Sequence, residues 1–177
     1  MRIGQIIYSL RPTTRTAVDL EALSEHLQKP IINGYLTLKY KHISIKLSRT
    51  GFQQVFFKGN IACSIRDFIK SIPTLKLILQ PFYKSKIVVY KGSVVNIQAT
   101  AYTCFSLNFI LDICRKQERV LVIPRETGQC ELKFESLGSA VVTPSARGTC
   151  RLDIVTKSLE RFSVFKRFWD AALFGDI

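Results

Sequence analysis

Ile43-Ser44-Ile45-Lys46-Leu47 and Cys130-Glu131-Leu132-Lys133-Phe134 read as one phrase written twice. In each, apolar and polar side chains alternate, which is the period of a strand with a single buried side, and lysine holds the fourth place. A shift of 87 positions, the distance from Val18 to Phe105, brings the two into register. The same shift lays Val18-Asp19-Leu20-Glu21-Ala22-Leu23 on Phe105-Ser106-Leu107-Asn108-Phe109-Ile110 and Gly51 on Gly138. Few identities persist, but apolar places, the Lys46/Lys133 pair and turn glycines keep register without a gap, as expected of a duplicated supersecondary unit.

Working outward, each half predicts strand, helix, three or more strands, helix. The first half opens with a β-rich run from Ile3 to Leu10, then a helix from about Thr16 to Gln28 that Pro30 stops. Strands follow at Tyr35 to Tyr40, Ile43 to Ser48 and Phe52 to Phe57. A second helix spans Ile61 to Ile72 and ends at Pro73, and Leu75 to Leu79 reads as a closing strand. Residues 81–92, with Lys84, Lys86 and Lys91, form a connector carrying an extra strand at Ile87 to Tyr90. The second half predicts strands at Val94 to Thr100, Arg119 to Ile123, Cys130 to Phe134 and Ala140 to Thr143, and a helix at Phe105 to Cys114. Apolar spacing from Leu152 through Val155, Leu159 and Phe162 to Trp169 predicts one final helix over Arg151 to Leu173. The lobes are thus 1–80 and 93–177, related by a pseudo-twofold.

Composition narrows the partner. In 177 residues, 26 Lys+Arg oppose 13 Asp+Glu, a formal charge of +13, which attracts polyanions; nucleic acid comes first and an anionic membrane second. A hydrophobic content of 47% supports a core that needs no disulfide or metal staple. Five cysteines without a C-x-x-C pair and no cleavable apolar leader read as reduced intracellular thiols. No apolar run is long enough to span a bilayer, so a soluble protein is expected. Phosphate-binding glycine loops, a G-x-S-x-G elbow and two-histidine metal spacing are all missing from the sequence. Glu21 and Glu25 form an exposed i, i+4 pair on the first helix. Neither an enzyme nor a cofactor is expected.

The order of elements, doubled in a basic chain of this length, resembles the core domain of the TATA-box-binding protein family. Asn96-Ile97-Gln98-Ala99-Thr100 is similar to that family's Asn-Ile-Val-Ala-Thr strand, and Val18-Asp19-Leu20 resembles the Leu-Asp-Leu opening its first helix. The run from Leu132 to Thr143 resembles its Leu-Ile-Phe-x-Ser-Gly-Lys-x-Val-x-Thr-Gly strand pair. The resemblance implies an α+β fold in which duplicated lobes form a saddle-shaped antiparallel sheet, covered by helices on one side and concave toward double-stranded DNA. In that family apolar wedges unstack base steps and kink the duplex by about 80°.

Carried over by position, the resemblance makes Phe134 a minor-groove wedge with Leu47, a smaller side chain, as its mate. Asn96 contacts the groove floor, and Ser9 is its mate in the first lobe. Val141 and Thr143 lie on the concave face, with Phe56 and Lys58 at the matching place in the first lobe. Apart from the resemblance, the lysines at 39, 41, 46, 58, 84, 86 and 91, numerous and without matching acids, favour a phosphate-facing role, and Lys133 shares it with Lys46. General initiation factors or RNA polymerase are the implied protein partners, and the nucleus or another intracellular site of transcription the implied location; the divergence of the motifs suits a strongly derived lineage such as a large DNA virus. Two departures stand out: Thr143-Pro144 and Lys58-Gly59 replace Thr-Gly, and the alternating strands have only one apolar side. Either the concave face is the polar one, or an apolar face meets DNA and Lys46 and Lys133 snorkel at its rim. Three readings stay open: a TATA-binding initiation factor, a nucleic-acid module of the same fold without TATA preference, and a protein-interaction scaffold.

Overall fold

The computed structural model describes residues 1–84, 89–145 and 147–174. The chain divides into two compact units, Gln5–Val95 and Asn96–Ile177 with Met1–Gly4. The elements in chain order are β1 (Arg2–Pro12), α1 (Leu20–Leu27), β2 (Ile31–Ile32), β3 (Tyr35–Tyr40), β4 (Ile43–Ser48), β5 (Gln53–Lys58) and α2 (Ile61–Leu79). After a 3-10 turn at Gln80–Phe82 come β6 (Tyr90–Thr103), α3 (Leu107–Arg115), β7 (Val120–Pro124), β8 (Cys130–Phe134), β9 (Gly138–Pro144), β10 (Cys150–Thr156) and α4 (Leu159–Phe174). The hydrogen-bonded strand orders are β2-β3-β4-β5-β1 in the first unit and β6-β10-β9-β8-β7 in the second, and the strand pairings within each unit are antiparallel.

Strand parity builds the Gln5–Val95 unit. Register sets Leu36 beside Leu47, Ile45 beside Val55, and Ile43 and Ile6 beside Phe57, so these side chains share one side of the sheet. Helix α1 seals that side with Leu20 and Leu23, both fully buried. Helix α2 covers it through the edge-on contact of Phe68 with Phe57 at 5.5 Å between ring centres. Asn60 caps α2, its side chain accepting from the Cys63 amide at 3.2 Å. Gln53 donates its amide to the hydroxyls of Tyr83 (3.0 Å) and Tyr90 (3.1 Å), which also bond to each other. Burial, followed by the Tyr83 contact, raises the Tyr90 phenol above its ordinary range.

The other unit repeats the plan with larger side chains. Ala99, Leu132, Ala140, Val142, Leu152 and Ile154 face Ile110, Leu111 and Cys114 of α3 and Phe165 and Trp169 of α4. Phe134 belongs to this core, with ring centres 4.5 Å from Phe165, 5.3 Å from Phe168 and 6.0 Å from Trp169. In each unit the helices lie on one side of the strands; the opposite side is called outer below.

Several boundaries differ from the sequence expectation. The first helix begins at Leu20 and not Thr16, because the Asp19 side chain accepts from the Ala22 amide at 3.0 Å and caps it there, while Val18 bridges to Tyr83. Pro73 lies inside α2, and Leu75 to Leu79 continue the helix instead of forming a strand. An internal proline costs about 3 kcal/mol; before it Phe68 packs on Phe57, and after it Leu79 is buried with Leu20 and Leu47. Arg151 to Thr156 are strand β10, because Cys150, Leu152 and Ile154 bury at period two. The last helix starts only at Leu159, after Ser158 accepts from the Arg161 amide at 3.2 Å. Of the extra strand expected at Ile87 to Tyr90, residues 87 and 88 lie outside the described residues, Val89 is not in a strand, and Tyr90 opens β6.

Both units run strand, helix, four strands, helix, with orders β2-β3-β4-β5-β1 and β7-β8-β9-β10-β6. By place in that order β4 corresponds to β9 and β8 to β3. The register of 87 therefore holds at β1/β6 and α1/α3 but slips by one strand afterwards, so Leu47 and Phe134 are not counterparts. A longer segment between α3 and β8 than between α1 and β3 absorbs the difference.

Phe134→Ala should lower unfolding free energy by about 3–5 kcal/mol, the usual cost of emptying a buried aromatic site. Urea denaturation followed by circular dichroism measures it; a fall of less than about 1 kcal/mol would contradict this packing. Gly138, at φ +148, meets the Val155 carbonyl oxygen at 2.2 Å from where a Cβ would stand, so Gly138→Ala should also destabilise.

Candidate nucleic-acid interface

Alternation sends the polar members of the same strands outward. On the Gln5–Val95 unit, Thr37, Lys46, Gln54 and Ser9 follow one another across β3, β4, β5 and β1. The adjoining row is Lys39, Ser44, Phe56 and Ile7, and Lys58 pairs with Gln5. The Lys46 ammonium stands 5.4 Å from the centre of the Phe56 ring, a cation-π contact in which the aliphatic stem lies on the sheet and the charge stays available. Among the described residues no carboxylate pairs with Lys39, Lys46 or Lys58, whereas Lys41, in the β3–β4 turn, meets Asp67 at 3.6 Å.

The outer side of the other unit is balanced. Arg151 holds Asp153 at 2.8 Å and Arg125 holds Glu131 at 3.0 Å. The hydrogen bond from Arg125, helped by the charges of Lys133 and Arg125, keeps the Glu131 carboxyl below its ordinary range despite some desolvation. Lys133 is exposed between Leu121 and Ser139 on the neighbouring strands. The sequence carries the same asymmetry: between Gln5 and Val95 it has 14 Lys+Arg and 4 Asp+Glu, net +10, which leaves +3 of the formal +13 elsewhere.

Of the residues singled out from sequence, Lys46, Lys58, Phe56 and Ser9 meet on one outer side, with Ser9 itself buried beside Gln54. Asn96 follows outer parity, since Ile97 and Ala99 bury inward, and its buried Oδ1 has no hydrogen-bond partner. Val141 stands outward between Glu131 and Asp153, and Thr143 stands beside Arg151 and accepts from the Gln129 amide at 3.2 Å. Phe134 and Leu47 do not join them. Phe134 is 7% exposed and Leu47 fully buried, both under the helices, so the wedge role expected of this pair gives way to a core role: strand parity turns them inward and leaves no ring face for a base step. Of the two arrangements open from sequence, these strands follow the first, with the polar side uncovered. Thr37 and Gln54 were missed, although both share the parity of Lys46 within their ladders.

Among the described residues no group of three or more His, Cys, Asp or Glu is placed to hold a metal ion, and no helix is long and apolar enough to cross a membrane. Cys114, Cys130 and Cys150 are core residues; burial, with the neighbouring Cys130, pushes the Cys114 thiol up to about 12.

No family model and no curated protein sequence matches the chain. Among solved structures it is similar to Methanococcus jannaschii TBP, with a TM-score of 0.59 and 17% identity over 97% of each chain. At that identity the likeness establishes the fold: an antiparallel sheet and four helices arranged as in TBP.

Cysteine labelling checks the division between core and surface. Cys63 and Cys104 are exposed and the other three buried, so an aromatic disulfide reagent at pH 8 should titrate two thiols rapidly in the native protein and five after denaturation. A third fast thiol would show that one of the cores is open.

Proposed function

We propose that this chain binds duplex DNA with the outer side of its Gln5–Val95 sheet, as a TBP-like factor of transcription initiation. The observation that carries the reading is the set of uncompensated lysines on three adjacent strands, Lys39, Lys46 and Lys58, in a fold shared with TBP. Lys46 pairs with Gln54, four residues from Lys58, and Lys39 with Ser44, so at about 3.4 Å per residue the three ammonium groups are spread along the sheet over a length that spans several phosphates. Thr37, Ser44 and Gln54 contribute hydroxyl and amide groups suited to the acceptors of the minor-groove floor. Phe56 is an aromatic side chain on this surface that can press against a base step. On the other unit Asn96 offers a further amide, and Lys133, Val141 and Thr143 offer an outward surface of their own. In this reading the partners besides DNA are general initiation factors or RNA polymerase, at an intracellular site of transcription.

A second reading, binding without TATA preference, draws support from the inward turn of Phe134 and Leu47. A surface of lysines and hydroxyls reads phosphates and groove shape more than base identity. Fluorescence anisotropy with TATA duplex, scrambled duplex and single strand, each at two salt concentrations, separates the possibilities. Tighter TATA binding supports the initiation factor, equal duplex binding the module without preference, and no binding a protein-interaction scaffold.

Changing Lys39, Lys46 and Lys58 to Gln should weaken binding to every duplex. The slope of log affinity against log salt should flatten by roughly 0.9 for each phosphate that is no longer neutralised. Lys133→Gln should flatten it less, because Glu131 lies beside that lysine. An unchanged slope in a triple variant with native melting temperature would remove this surface from the interface.

A further inference from the structure

The Gln5–Val95 unit also holds an open groove of about 1010 Å³ where β1, β3 and β4 end, beside the outward pair Tyr35 and Ser48. Its wall presents Arg11, Arg15 and Lys84 and no carboxylate. Among the described residues none of these three cations forms an ion pair. Such convergence repels itself unless an anion sits within it. The Arg11 guanidinium lies 5.6 Å from the centre of the Phe52 ring, which gives one flat surface, and Tyr35 gives another. Aromatic rings and stacked guanidinium planes are the surfaces on which unpaired bases rest. The groove is at the upper end of the volume range of ligand clefts, far larger than a lone inorganic ion requires.

We propose that this groove takes an unpaired nucleotide, its phosphate held by Arg11, Arg15 and Lys84 and its base stacked on Tyr35 or on the Arg11–Phe52 pair. The strand comes from the duplex on the lysine surface, and in that respect the proposal rests on the reading above. Tyr35 and Ser48 belong to the same outer side as Lys39 and Lys46, so a strand end leaving that side reaches the groove without crossing the sheet. A free nucleotide is the other source of the same chemistry.

The test uses the full chain and three labelled probes: a blunt duplex, the same duplex with a single-stranded tail of about five nucleotides, and the duplex lengthened by as many base pairs. The tail should raise affinity about tenfold, within the worth of one base stack, and the paired extension should add much less. Arg15→Ala combined with Lys84→Ala should bring the tailed-to-blunt ratio to about one while the melting temperature stays native. Tyr35→Leu, which keeps all three charges, should reduce the same ratio. Competition with ATP at millimolar concentration reads the free-nucleotide source. If tail and paired extension help equally, the groove takes phosphate alone and the nucleotide proposal falls. It falls too if neither the tail nor ATP has any effect. If the blunt duplex does not bind while ATP does, the groove stands and the duplex reading is what fails.

Discussion

Burial of one side of each strand is the constraint on which the rest of this molecule depends. Ile43, Ile45 and Leu47 must go under α1 and α2 with Leu36, Val55 and Phe57, because those are the apolar side chains the first unit has to cover. Each Leu, Ile or Phe so covered contributes roughly 1.5–3 kcal/mol. Once that side is chosen, pleating leaves the alternate residues no other place, and Lys39, Lys46 and Lys58 project from the opposite surface. An unpaired ammonium turned inward would cost several kcal/mol of hydration. The charged surface is therefore a consequence of how the core packs, although its chemistry is unrelated to the core.

The two units show how far that separation can go. Their strand orders and helix positions repeat, since the inward residues remain apolar in both. Their outward charged residues lie outside the cores and have diverged to different electrostatics: uncompensated lysines on one, Arg125–Glu131 and Arg151–Asp153 pairs on the other. A duplicated scaffold of this kind keeps its fold while giving its halves unequal shares of the charge.

Phe134 illustrates the risk of assigning a role by motif. In sequence its place after Lys133 matches an exposed aromatic wedge, yet Phe165, Phe168 and Trp169 enclose it. The last helix supplies those rings from about thirty residues downstream. Local pattern identifies Phe134 as apolar and on the same side as Leu132 and Cys130, while the helix that covers that side is identified only by long-range packing.

Alternation, proline stops and net charge were enough to read the doubled order, most strands and the basic character, while the α+β class came with the family resemblance. These signals are local, or are sums over the chain, and survive without coordinates. The sequence could not show that α2 runs through Pro73, because the proline penalty is local and the contacts that offset it come from the sheet. It could not separate β10 from α4, since Leu152, Val155 and Leu159 satisfy helical spacing as well as Cys150, Leu152 and Ile154 satisfy a strand. The one-strand slip between halves has a similar origin: every strand here carries the same period, so an ungapped comparison cannot tell β8 from β9. The surface left uncovered, and with it the grouping of Lys39, Lys46 and Lys58 and of Arg11, Arg15 and Lys84, followed from tertiary packing, because parity says which residues share a side and the helices decide which side is open.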